Sequence, residues 1–422
     1  MTKKLIKIFN DQIIDSKIAI AVSGGIDSMA LMNLAKESDL LNDKNVFILV
    51  VDHDLRSESK QEAEFVKKEA KKLGFTTRIL KWKGSKPNKR IQEEARNKRY
   101  NLLINFCREN NINNLYLAHH LDDQIETFLF RMFRGSGLQG LTSFSRSYKR
   151  NGLTLMRPLI DIPKSELINY AKRKKINWVE DPSNENQKYD RVKLRKALPL
   201  LYKEGFDKEV FLKSIKKLRL ANEALDQITK EFVSKYVSIN KNVSVFINQE
   251  LFLTAPQDVQ LRVLQNTIRI FSGERYYSPN YLKIFNLMHW AREDNGISAK
   301  TLGGTIFRKR KSGIILYKEV KKLNEIKSIK LSKSKYKAWD NRFLIKINKS
   351  VRGEISYLGN EGVKILKSKK ILSKKGFKGI PITALYSIPA MWDGKRLISA
   401  PFFDYSVDNS VNLKVKKIDY LI

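Results

Sequence analysis

Val22-Ser23-Gly24-Gly25-Ile26-Asp27-Ser28 stands between an apolar run, Ile18 to Val22, and an amphipathic stretch with helical spacing. A strand, a tight loop and a helix start form the arrangement that turns backbone N–H groups and the positive end of a helix dipole toward a phosphate. Gly24 and Gly25 let the chain turn sharply and bring its backbone close to an anion, and Ser23 and Ser28 add hydroxyl donors. The loop lacks the lysine of G-x-x-x-x-G-K-[ST], so an ordinary P-loop is disfavoured. The plain alternative is a strand-to-helix connection in which Asp27 and Ser28 cap the helix.

The surrounding chain supplies the context. Apolar runs at Ile18 to Val22, Val46 to Val51, Thr76 to Trp82 and Leu115 to Ala118 are separated by amphipathic segments such as Ser59 to Leu73 and Ile91 to Arg108. That alternation predicts an α/β fold with a parallel sheet of βαβ units, whose ligands sit outside the C-terminal strand ends. The motifs after Val22, Val51 and Ala118 all fall at such ends.

After the second strand comes D-H-D-L-R, Asp52 to Arg56, whose first carboxylate can reach a ribose or an adenine amine; a helix-capping turn explains it equally well. E-E-A-R-N-K-R-Y, Glu93 to Tyr100, puts Arg96 and Arg99 on one helix face with Glu93 a turn earlier, a pattern that a surface salt-bridge ladder also produces. In H-H-L-D-D-Q-I-E-T, His119 to Thr127, a helix starting near Asp122 places Asp123 and Glu126 on one face, where paired carboxylates could hold a metal or an ammonium group. Acidic residues opening a helix are also good dipole partners. One Cys and four His in the whole chain make a structural zinc site at His119 and His120 improbable. R-G-S-G-L-Q-G-L, Arg134 to Leu141, suggests a loop approaching a ligand, with a helix C-cap as the alternative, and D-P-S-N, Asp181 to Asn184, precedes Arg191 and Arg195.

Further on, Phe206 to Ser238 has the spacing of a long helix, more helix is expected at Asp258 to Phe271 and Tyr281 to Glu293, and residues 301 to 317 form a hairpin turning at Lys311-Ser312-Gly313. Residues 321 to 380 carry 18 Lys/Arg against 4 Asp/Glu and are expected to form a small mixed domain with a basic face. The 422 residues carry a net charge of +37, which points to a polyanionic partner, most simply nucleic acid, against the alternative of compositional bias with solvated basic faces. The single cysteine, Cys107, rules out an intramolecular disulfide and fits a reducing cytoplasm; its helical context makes it a packed thiol rather than a nucleophile. No apolar run has the length of a membrane span, and the N-terminus carries no secretory pattern.

S-G-G-I-D-S resembles the signature of the PP-loop ATP pyrophosphatases. The ordered set S-G-G-I-D-S, D-H-D-L-R, E-E-A-R-N-K-R-Y, H-H-L-D-D-Q-I-E-T, R-G-S-G-L-Q-G-L, R-P-L-I and D-P-S-N with R-V-K-L-R is similar, over roughly residues 15 to 200, to the tRNA(Ile)-lysidine synthetase family. The resemblance implies a Rossmann-like PP-loop domain over 1–205, a mostly helical tRNA-binding or linking domain over 206–320 and a basic, small mixed α+β tRNA-binding domain over 321–422. It implies adenylation by ATP of the oxygen at carbon-2 of the wobble cytidine in a CAU-anticodon isoleucine tRNA, then capture of that carbon by L-lysine. Ser23, Gly24, Gly25, Ile26, Asp27 and Ser28 would hold ATP, bordered by Asp52, His53 and His119, with Mg²⁺ at Asp27. Arg99, Asp123 and Glu126 would bind lysine and, with Asp27, carry the chemistry; Arg191 and Arg195 would meet the tRNA backbone. Val192 follows Arg191 where the family tends to have Asn, which puts a polar role there in doubt. The oligomeric state stays open, a homodimer among the options.

Two rivals compete. A PP-loop tRNA thiolase needs active-site cysteines, and only Cys107 exists. A non-catalytic RNA-binding protein would be favoured by loss of Asp27, Asp123 or Glu126, and all three are present.

Overall fold

The computed structural model describes residues 2–52, 59–82, 91–150, 152–180, 190–271, 279–293, 298–320, 337–340, 342–347, 353–372, 379–407 and 413–417. The chain divides into two compact units, Met1–Asn222 and Glu223–Ile422.

In the first unit the order is α1 (Thr2–Asn10), β1 (Ile18–Ala21), α2 (Ile26–Lys36), β2 (Val46–Asp52), α3 (Ser59–Lys72), β3 (Thr76–Lys81), α4 (Ile91–Glu109), β4 (Asn114–Tyr116) and α5 (Leu121–Met132). Then come α6 (Leu138–Thr142), β5 (Ser147–Arg150), β6 (Leu153–Met156), α7 (Lys164–Arg173), α8 (Asp190–Lys203) and α9 (Lys208–Tyr236), the last continuing into the second unit. The sheet runs β3-β2-β1-β4-β6-β5, parallel except for β5, which returns antiparallel to β6 at the edge.

Alternation along the strands explains why both faces are covered. Ile18 and Ile20 of β1, with Val46, Ile48 and Val50 of β2, face a core built with Met29 and Leu31 of α2, Val66 of α3 and Leu167 of α7. Ala19 and Leu49 point the other way, into a second core with Tyr100, Leu103 and Cys107 of α4. Each fully buried side chain of Leu size contributes roughly 1.5–3 kcal/mol of transfer free energy, so the two faces lock the register. Because β2 and β4 flank β1 on opposite sides, the chain reverses direction there, and a crevice opens at the carboxyl ends.

The C-terminus of α5 is closed by Gly135 at φ +70, with the Ser136 N–H on the Arg131 carbonyl and the Gly135 N–H on that of Met132. This is the helix C-cap alternative for R-G-S-G, and it needs a residue that tolerates a left-handed backbone. Beyond it, Ile125, Phe128 and Leu129 of α5 pack with Leu194 and Leu198 of α8 and Ile215 of α9. That cluster lays α8 against the apolar face of α5, from where Arg195 reaches Glu126.

The second unit begins with the five-stranded antiparallel sheet β7-β8-β11-β10-β9. Its strands are β7 (Val237–Asn240), β8 (Ser244–Asn248), β9 (Ala299–Leu302), β10 (Thr305–Arg310) and β11 (Gly313–Lys318), and it packs with α10 (Gln249–Thr254), α11 (Gln257–Phe271) and α12 (Tyr281–Arg292). The expected helices and the β10–β11 hairpin are present, with Arg310 opposite Gly313. Three further strands join them. Two smaller sheets follow, one of β12 (Lys337–Trp339), β13 (Phe343–Ile347) and β18 (Leu413–Lys417). The other holds β14 (Glu354–Tyr357), β15 (Pro389–Asp393), β16 (Arg396–Ala400) and β17 (Tyr405–Ser406), with α13 (Gly359–Ser368) and α14 (Ile382–Leu385). Fully buried Arg342 donates to Asp340 and to the carbonyls of Asn242 and Ser387, tying these sheets to the larger one. Much of the Lys-rich stretch, 321–336 included, lies outside the described residues. Among the described residues no helix is long and apolar enough to cross a membrane.

Candidate active site

At the carboxyl end of β1 the sharp turn is made by Gly24 alone, since Gly25 takes an extended backbone at φ -70 that any residue can adopt. Gly24 sits at φ +93, a conformation L side chains rarely adopt, and its carbonyl accepts the Val179 amide at 3.0 Å. Gly25 is the N-cap of α2 and has no side-chain cap, so Asp27 and Ser28 are not helix caps, and the first-turn amides keep their capacity for an anion. Ser28 lines the cavity that opens beside the loop, and its Oγ donates to the Gly25 carbonyl at 2.9 Å and accepts the Ser23 amide at 3.1 Å. It braces the loop from within.

A cavity of about 650 Å³ opens there, lined by Ser23, Gly25, Asp27 and Ser28 and, opposite, by Arg96, Arg99, His119 and Asp123. A second cavity of about 400 Å³ shares Arg96, Arg99, His119 and Asp123 and adds Glu126, Thr127, Arg131, Phe144, Tyr148 and Arg157. One wall therefore faces both spaces. Gly24, Ile26 and Asp52 belong to the same strand ends without lining either cavity; Asp52 is buried and accepts the Ser59 hydroxyl at 2.9 Å. His53, Arg56, Asp181 to Asn184 and the Arg191 side chain lie outside the described residues.

The acidic side of the shared wall is built by the first turns of α5. Asp123 accepts the His120 amide at 3.1 Å, so it is a dipole partner of the helix as well as a cavity residue. Asp122 accepts the Lys164 amide at 2.9 Å and pairs with Lys208; burial opposes its charge, but these partners hold its pKa below the usual range. His120 lies between Asp27 at 3.5 Å, Asp123 at 3.5 Å and Asp122 at 3.7 Å. Burial disfavours its charge, yet the three carboxylates outweigh that and raise its pKa. Glu126 is raised by burial even though the Arg195 Nε donates to it at 2.7 Å, and Arg195 also lies 4.0 Å from Asp123.

The opposite side is cationic and aromatic. Buried Arg157 stacks between Phe144 and Tyr148, its guanidinium carbon 4.3 and 4.5 Å from their ring centres, and its Nε has no partner. Arg96, Arg99 and Arg150 surround the Tyr100 ring at 5.3, 5.5 and 4.7 Å. His119 meets Phe144 edge-on at 5.4 Å; burial, then Arg157, Arg99, Arg96 and His120, push its pKa well below the ordinary range. Sequence reasoning missed His120, Arg157, Tyr148 and Phe144 as site residues. R-P-L-I contains Arg157, but nothing local marks it as facing a cavity.

The residues thus form an anion cradle beside a pocket with carboxylates on one side and guanidinium groups on the other, suited to a ligand carrying both ammonium and carboxylate. The family described as PP-loop domain matches residues 1–201. The tRNA(Ile)-lysidine synthase of Wolbachia pipientis wMel is 32% identical over 415 residues, 96% of this chain and 93% of that protein. The tRNA(Ile)-lysidine synthase of Rickettsia bellii (strain RML369-C) is 33% identical over 406 residues, 94% and 91% of the two chains. Among solved structures, the U34-tRNA thiolase NcsA from Methanococcus maripaludis matches 52% of this chain and 78% of its own at a TM-score of 0.45 and 17% identity. With relatives this similar along nearly the whole length, the chain belongs to the tRNA(Ile)-lysidine synthase family.

Proposed function

We infer that this protein is an ATP-dependent ligase that joins L-lysine to carbon-2 of the wobble cytidine in a CAU-anticodon isoleucine tRNA, leaving AMP and pyrophosphate. The observation that carries this reading is the shared wall. An adenylated base lying along it presents its phosphate side to the Ser23–Ser28 loop and its reactive carbon to the pocket of Asp123, Glu126 and the arginines.

In the first step the oxygen at carbon-2 attacks the α-phosphorus and the bond to the β-phosphate breaks. The loop amides and the α2 dipole take up charge on the departing pyrophosphate. Asp27 Oδ1 is buried without a partner, and among the described residues no group of three or more His, Cys, Asp or Glu side chains is arranged around a metal. A lone carboxylate oxygen beside a phosphate loop fits Mg²⁺, which takes one or two carboxylates and completes its shell with phosphate and water. Asp27 would hold it, and it would offset the phosphate charge.

In the second step the ε-amine of lysine attacks carbon-2 and AMP leaves with the oxygen. Asp123 and Glu126 bind the cationic substrate, and Glu126, raised by burial, is suited to take the amine proton. Arg99 pairs with the lysine carboxylate. His119 borders the nucleotide, as do Asp52 and His53 at the end of β2. Residues 1–205 carry catalysis, 206–320 link and bind tRNA, and 321–422 bind tRNA through their basic face, in the cytoplasm. The test is incubation with ATP, radiolabelled lysine and unmodified isoleucine tRNA: label becomes stable on one cytidine, and absence of labelled RNA refutes the reading.

The thiolase alternative has its own check. Cys107 is fully buried in the core beneath α4, and burial pushes its thiol up to about 12. The native protein is expected to resist iodoacetamide at pH 8, and Cys107→Ala to keep lysine transfer within about twofold. Loss of turnover in a folded Cys107→Ala protein would favour sulfur chemistry.

A further inference from the structure

Arg195 lines neither cavity, yet it pairs with the two carboxylates that the mechanism gives to the substrate's cation. Its Nε lies 2.7 Å from Glu126 and its Nη2 4.0 Å from Asp123, the two carboxylates of the lysine pocket. It is held there from outside: Leu194 and Leu198 on either side of it in α8 are buried against α5, while the Arg195 side chain is 43% exposed. The same helix carries exposed Lys193, Lys196 and Lys203, a basic face facing solvent. Asp122, Asp27 and His120 complete the charged surroundings; Lys208 pairs with Asp122, and Lys164 lies 3.9 Å from Asp27.

We propose that Arg195 is a positioning residue that couples the two substrates: its guanidinium neutralises Glu126 and Asp123 from outside the cavity while the pocket is empty, and lysine binding, which competes for the same carboxylates, releases it to an RNA phosphate. The proposal rests on the second cavity being the lysine pocket. An internal cation that must be displaced lowers the apparent affinity of the incoming ammonium by the fraction of time it vacates the site. A phosphate that draws Arg195 away lifts that penalty, since guanidinium–phosphate pairing is bidentate and strong. Linkage requires the converse, that lysine raises tRNA affinity by the same factor.

The test is calorimetric titration of lysine into the full-length protein at pH 8, without ATP, in the presence and absence of a saturating unmodified tRNA transcript. In the wild-type protein tRNA is expected to tighten lysine binding by on the order of fivefold or more. Arg195→Gln is expected to bind lysine more tightly than wild type without tRNA, to bind tRNA more weakly, and to lose the coupling. Arg195→Lys, which keeps a displaceable cation, retains coupling of the same sign and controls for folding. Unchanged or weaker lysine binding in folded Arg195→Gln, or coupling that survives in it, overturns the proposal. Failure of the underlying reading looks different: wild-type protein would not titrate with lysine, or Asp123→Asn would bind it as wild type does.

Discussion

Asp27→Asn is expected to slow tRNA-dependent pyrophosphate release by on the order of a thousandfold, the size of effect seen when a preorganised charge at a reacting phosphate or acyl group is removed. Asp27 lies in the first turn of α2, at the mouth of the loop, with one oxygen toward His120 and Lys164 and the other without a partner. Asparagine keeps the shape and can still bond His120, but it brings neither the negative charge that a Mg²⁺ ion requires nor a counter-charge for His120. The fold should survive at a modest cost in stability, because Asp27 caps nothing and Asp122 and Asp123 still face His120. Pyrophosphate release under saturating ATP and tRNA, with a thermal melt as control, measures the effect. A fall of less than about tenfold in folded protein would remove Asp27 from the first step.

Asp123→Asn separates the steps. The substitution is expected to cut lysine transfer by on the order of a hundredfold while adenylation of the tRNA persists within several-fold, so adenylated tRNA accumulates. Asparagine still accepts the His120 amide that Asp123 holds at 3.1 Å, so the start of α5 survives. What disappears is half of the negative charge facing the ammonium, and Glu126, already raised by burial and paired with Arg195, cannot replace it alone. Label from the α-phosphate of ATP and label from lysine, followed on the same RNA, read the two steps; equal loss of both contradicts the lysine-binding role. The same pocket gives a pH signature. As pH falls into the raised range of Glu126, that carboxylate takes a proton and the KM for lysine climbs.

Much of this architecture was legible because its signals are local. Ile18 to Val22 and Val46 to Val51 are continuous apolar runs because both faces of the sheet are covered, and those runs mark β1 and β2. Asp123 and Glu126 share a face by helix geometry alone. The arginine and aromatic side was not legible in the same way. Tyr148 comes from an antiparallel edge strand, Arg157 from the end of β6 and Tyr100 from α4, and only the folded sheet brings them together. Arg195 meets Glu126 across 69 residues of chain, a pairing that no spacing rule encodes. The helical spacing that predicts helix as far as Ser238 hides the strand V-S-I-N at 237–240, whose exposed Ser238 and Ile239 carry no alternation to read; the helix ends at Tyr236.

Purified protein given Mg²⁺, ATP, lysine and its unmodified tRNA should turn ATP into AMP and pyrophosphate, one of each per lysine fixed to RNA, and only when the tRNA is present. Formation of ADP and phosphate instead, or no nucleotide turnover with intact tRNA, would contradict the account at its base.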